Sequence, residues 1–160
     1  MLRALHRWPG LLAAVLLIVI ALGAVSTISR SAFVGIAAAP DFTEDLMWAG
    51  FTEAERAAVM AGRLEQPSDY SDAPYIITRK LIEEGRQNLV LRDPLPLPFP
   101  VRLLQGTADV DVPPAVALRL MDHACGPDLR LTLVKGADHR FSTPECMDLI
   151  TRTILDLPAS

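Results

Sequence analysis

Hydrophobic positions along the chain change their period several times, and each change marks an element. Leu11 to Val25 is almost purely aliphatic, inside a stretch without charge from Trp8 to Ser29. The run Ala32-Phe33-Val34-Gly35-Ile36-Ala37 is short and closed by Ala38, Ala39 and Pro40. Its length and its Pro-Asp boundary predict a buried strand, with Asp41 and Phe42 at the carboxyl end. From Thr43 to Asn88 the pattern turns helical. Thr52 and Glu55 have the spacing of a capping box ahead of Ala57, Ala58, Val59 and Met60. A second helix is predicted over Ile77 to Glu84 with Gly85 as its stop, and Gln66 to Tyr75 has the Pro, Ser and Asp content of a loop.

Between Asp93 and Pro100 proline alternates with apolar residues at 94, 96, 98 and 100. With those backbone donors missing, an extended connector is expected in place of a central strand. Val101 to Gln105 then reads as a strand stopping at Gly106, and Pro113-Pro114 opens a helix to about Ala124 that Gly126 closes. Leu129, Leu131 and Leu133 alternate with Arg130 and Thr132 as a further strand. Thr143 as N-cap and Pro144 in the first turn start the last helix, whose apolar face is Cys146, Leu149, Ile150, Thr153, Ile154 and Leu157. The order strand, helical insertion, strand, helix, strand, helix implies α/β architecture: a parallel sheet with flanking helices. In such sheets chemistry collects at the carboxyl ends of the strands.

The N-terminal run has three readings. Arg3, His6 and Arg7 precede apolar residues long enough to span a bilayer over 9–28, and small residues follow. A signal peptide or anchor, a transmembrane segment, and a helix buried on every side all fit. Residues 1–30 are accordingly set apart as an apolar N-terminal helix, and 31–160 as the globular part. Total length of 160 residues and 51% hydrophobic content suit one domain with a sizeable core. A net charge of -4 without a dense basic run excludes nucleic acid as the expected partner. Cys125 and Cys146 have no metal-ligand spacing and read as two packed free thiols.

Two loops carry the candidate chemistry: Gln105 to Pro113 after one strand, and Lys135 to Phe141 after the next. Asp109 and His139 thereby come from successive strand ends, in the order acid then histidine. Nucleophilic acyl transfer needs that pair, because the histidine takes a proton while the acid fixes its tautomer and stabilises its charged form. Asp111 and Asp138 are rival carboxylates whose plainer reading is capping or loop solvation.

The segments Gly35 to Leu46, Leu103-Leu-Gln-Gly-Thr-Ala-Asp109-Val-Asp-Val-Pro113, and Leu131-Thr-Leu-Val-Lys-Gly-Ala-Asp-His139 resemble the bacterial α/β-hydrolases related to the mitochondrial palmitoyl-protein thioesterase. The resemblance covers roughly Phe33 to Leu157. It implies the C-terminal half of an α/β-hydrolase, with Asp109 as triad acid, His139 as general base and a lid within 43–100, over Thr43 to Asn88. It further implies a small-molecule acyl ester or thioester substrate, no cofactor or metal, and a cytoplasmic location, which conflicts with a membrane-spanning N-terminus. Such hydrolases hold their nucleophile in a Gly-x-Ser-x-Gly elbow, expected about two dozen residues before Gly35, near Leu11 to Ala14. Residues 1–25 contain no Ser, Thr or Cys, and no Gly-x-Ser-x-Gly occurs anywhere in the 160 residues. The sequence therefore predicts a truncated hydrolase domain, inactive alone and prone to self-association. The alternative is a membrane-anchored, non-catalytic hydrolase-like protein.

Overall fold

The computed structural model describes residues 17–22, 30–67 and 73–157. Its largest sheet contains β1 (Leu17–Leu22), β2 (Arg30–Ile36), β6 (Val101–Gly106) and β8 (Leu129–Val134), in the order β1-β2-β6-β8. β2, β6 and β8 run parallel, with Gly35 opposite Leu103 and Leu103 opposite Leu131. Parallel neighbours need long crossovers, and α3 (Pro114–His123) supplies the one from β6 to β8. α4 (Pro144–Leu155) follows β8, its Thr143 side chain accepting from the Cys146 amide as N-cap.

β6 is buried from end to end, as a strand with neighbours on both sides and covered faces must be. Its one charged member, Arg102, is neutralised by Asp128, with Nη2 2.7 Å from Oδ2. The hydrogen bond from Arg102 holds the Asp128 carboxyl below its ordinary range. Leu104 of β6, Ala137, Phe141 and Cys146 of α4 form one buried cluster, packed by Ile36 and Val134 from the last positions of β2 and β8 and by Leu149 and Ile150 of α4. Both cysteines are free, but only Cys146 is packed as expected; Cys125, at the end of the two-residue strand Ala124–Cys125, is exposed.

Pro40–Arg92 forms a separate compact unit. It begins with a π-helical segment over Thr43–Trp48, followed by α1 (Glu53–Met60), β3 (Arg63–Gln66), β4 (Tyr75–Thr78) and α2 (Arg79–Gln87). The capping box is present: the Glu55 amide donates to Thr52 Oγ1, and the Thr52 amide donates to Glu55 Oε2 at 2.7 Å. Entry and exit of the unit are tied by Asp41. Its carboxylate accepts from the amides of Val90 at 2.7 Å and Leu91 at 2.9 Å, and Oδ2 lies 3.2 Å from Arg92.

The structure corrects several expectations. Leu17–Leu22 is a strand antiparallel to β2, not helix. Its Ile18, Val19 and Ile20 favour extended backbone once a neighbouring strand is there to pair with, which an apolar run by itself does not reveal. Residues 1–16 and 23–29, including the expected elbow position near Leu11 to Ala14, lie outside the described residues. Among the described residues no helix is long and apolar enough to cross a membrane. Within 43–88 the chain is not uniformly helical: β3 and β4 pair antiparallel, and Ile77 lies in β4. α2 starts only after Thr78, whose side chain caps it, and runs through Gly85. That glycine is a point of close approach, since a Cβ there would lie 2.1 Å from Thr43 Oγ1. The proline-rich connector contains only the two-residue β5 (Leu95–Pro96), paired in parallel with β7 (Ala124–Cys125).

Candidate active site

Two turns at the carboxyl ends of β6 and β8 are laced together by the main chain. Thr107 donates its amide to the Val134 carbonyl at 2.9 Å, and Ala108 donates to Ala137 at 3.0 Å. The Gly136 amide donates to Thr107 Oγ1 at 2.9 Å. Gly106 permits the approach: a Cβ on it would stand 2.2 Å from the Ala137 oxygen and 2.7 Å from the Ala137 carbonyl carbon. Most side chains of the two turns are exposed, whereas Asp109 and His139 are buried.

Asp109 leaves the first turn with both oxygens engaged. Oδ1 accepts from the amides of Asp111 at 3.0 Å and Val112 at 2.8 Å. Oδ2 accepts from Gln105 Nε2 at 3.0 Å and lies 3.0 Å from His139 Nδ1. The side chains of Asp109 and His139 are 0% and 6% exposed. An acceptor at Nδ1 selects the Nδ1–H tautomer, so any proton the ring exchanges passes through Nε2. His139 is set by its surroundings: the Phe141 amide donates to Asp138 Oδ1 at 3.2 Å, closing the turn. Phe141, at a positive φ of 52°, buries its ring completely in the cluster beneath. A bulky residue in that strained conformation persists only where packing over-determines it.

The rival carboxylates are now separated. Asp138 caps the turn and approaches the site through its charge. Asp111 is partly buried, and its Oδ1 is a buried atom without a hydrogen-bond partner among the described residues. Burial pushes its carboxyl above the ordinary range, as do the charges of Asp109 and Asp138, while His139 pulls it back down. Ligand-type atoms of Asp109, Asp111 and His139 lie within 4.8 Å of one another. Asp109 has nevertheless filled its acceptor positions with N–H donors, an arrangement that builds an acid–imidazole pair and offers a cation little. Gln105 is the contributor that sequence reasoning passed over. A glutamine inside an apolar strand, four positions before the acid, was the only signal.

Comparison with known proteins bears on this geometry. No family model matches the chain. It is 33% identical over 127 residues to Palmitoyl-protein thioesterase ABHD10, mitochondrial, of Rattus norvegicus, a match that takes in 79% of this chain. The Homo sapiens counterpart is 30% identical over 127 residues. Among solved structures, Alpha/beta hydrolase domain-containing protein 10 from mouse superposes with a TM-score of 0.67 at 31% identity, over 78% of this chain and 50% of that one. The chain belongs to the α/β-hydrolase family. A candidate hydrolase from Agrobacterium vitis S4 is similar over 78% of this α/β-hydrolase chain and 48% of its own, with a TM-score of 0.73 and 43% identity. The chain spans 43% and 42% of the length of the rat and human relatives.

Proposed function

We propose that Asp109 and His139 are the acid and general base of a serine esterase or thioesterase site acting on acyl esters or thioesters. The observation that carries this reading is the 3.0 Å contact between His139 Nδ1 and Asp109 Oδ2, made by two buried side chains at successive strand ends. In that role His139 takes the nucleophile's proton at Nε2 and returns it to the leaving group, while Asp109 stabilises the imidazolium. The thioesterase names of the relatives support the acyl-transfer class. The segment 43–100 is proposed, on the strength of the resemblance, to supply the lid of that site.

The nucleophile is not within the 160 residues in any Gly-x-Ser-x-Gly context. The chain by itself is therefore expected to leave a serine-directed fluorophosphonate unreacted, and strong labelling abolished by His139→Ala would contradict this. The positive test is a chimera in which residues 33–157 replace the matching segment of the Agrobacterium vitis hydrolase. It should hydrolyse short acyl esters or thioesters, and Asp109→Asn and His139→Ala should each lower kcat by about 10³-fold or more. A folded chimera that is indifferent to both substitutions would remove the proposal. The competing reading, a membrane-anchored non-catalytic protein, draws on the uncharged stretch from Trp8 to Ser29. Fractionation of the expressed chain distinguishes that from the cytoplasmic location the resemblance implies.

A further inference from the structure

We propose that Gln105 is the positioning residue of this site: its amide clamps Asp109 so that the carboxylate presents one lone pair of Oδ2 to His139. The proposal rests on the acid–base reading of that pair. Gln105 is fully buried, and the two hydrogens of Nε2 serve Asp109 Oδ2 at 3.0 Å and the Val112 carbonyl at 2.9 Å, with the Gly106 carbonyl at 3.2 Å sharing one of them. One side chain thus binds the strand end, the acid and the far side of the turn that carries the acid.

The stereochemical consequence follows from counting lone pairs. A carboxylate oxygen accepts in two directions. On Oδ1 both are taken, by the amides of Asp111 and Val112. On Oδ2, Gln105 takes one and leaves one for the imidazole, so the group can neither rotate nor tilt away without breaking a bond. A buried amide serving the core alone would be expected to satisfy both its ends. Here Oε1 is buried without a partner among the described residues, so the side chain is arranged around what its nitrogen does. Apolar residues of similar length would fill the same space at β6 and would not hold the acid.

Proton NMR of the 160-residue chain tests this through the His139 Nδ1–H, whose resonance a short bond to a carboxylate moves far downfield. The resonance is assigned by its loss in His139→Gln. Among the described residues the ionisable groups around it include Asp109 and Asp111, with Asp138 and Arg140 adjacent in sequence. Gln105→Met preserves length and apolar packing and should abolish the resonance while the amide spectrum stays folded. Gln105→Glu should show it only while the introduced carboxyl group and Asp109 hold a proton between them, and lose it on raising the pH through a range where the wild type keeps it. A Gln105→Met chain that retains the resonance at the wild-type position would reduce Gln105 to core filling. Should that variant not fold, a Gln105→Glu chain that matches wild type at every pH has the same force. A wild-type chain without any His139 resonance would instead show that the Asp109–His139 pair is not formed, and the acid–base reading would fall first.

Discussion

Asp109 and Asp111 stand two positions apart in one loop and meet opposite treatment. Asp109 is surrounded by N–H donors, whereas a buried oxygen of Asp111 has none among the described residues. The folded chain consequently holds a proton on Asp111 more readily than the unfolded chain does, because burial raises its carboxyl. Stability from this group is then fully present at acid pH and declines as the pH climbs through the carboxylate range. Asp111→Asn keeps the shape and the backbone amide that serves Asp109. It should melt higher than wild type near neutral pH, by on the order of 2 °C for a domain of this size, with the gap closing in acid. Thermal melts at the two pH values check this, and coincident melts at neutral pH would show that Asp111 is adequately solvated. That Asp109 and His139 meet was legible in the sequence, because each lies in the turn that follows one of two consecutive strands. The part played by Gln105 was not, since its value depends on three acceptors that only the closed turn brings within reach.

At the scale of elements, the turns after β6 and β8 form a joint whose tightest point is Gly106. Its alpha hydrogen faces a carbonyl, and carbonyls belonging to a paired strand end have little room to retreat. Gly106→Ala should therefore push the turns apart, at a cost typical of overpacking, about 1–3 kcal/mol or more. It should also remove the His139 ring-proton resonance, although neither site residue is changed. A denaturant titration with the same NMR measurement reads both effects, and a variant with wild-type stability and an intact resonance would mean that the joint is loose. The strands and helices around this joint were legible from local pattern: the alternation at 129–133, the Pro-Pro start at 113 and the Thr143 cap all reappear. The hairpin β3–β4 was not. Tyr75-Ile76-Ile77-Thr78 is as compatible with the first turn of a helix as with a strand until Arg63–Gln66 is seen to pair with it.

For the whole molecule the decisive feature is a four-stranded sheet in which β8 stands at one edge among the described residues. Its exposed positions include Arg130, Thr132 and Leu133, and the last of these is 46% exposed. A parallel edge strand with an uncovered leucine invites a second chain. Self-association of the 160-residue chain is expected, and light scattering behind size exclusion should show species above monomer mass at micromolar concentration; a clean monomer with one sharp thermal transition would count against it. Local order came from the sequence alone: which segments are strands near the site, which residues cap the helices, and that an acid and a histidine follow consecutive strands. Those features depend on neighbours within a few residues, where steric preference and hydrogen bonding to the next turn dominate. Only the tertiary structure decided that the aliphatic segment Leu17–Leu22 pairs as a strand, that Asp41 ties the ends of the inserted unit, and that Gln105 grips the acid. Each is settled by a partner that the chain's local period does not point to, and a contact of that kind leaves no pattern along the sequence to be read.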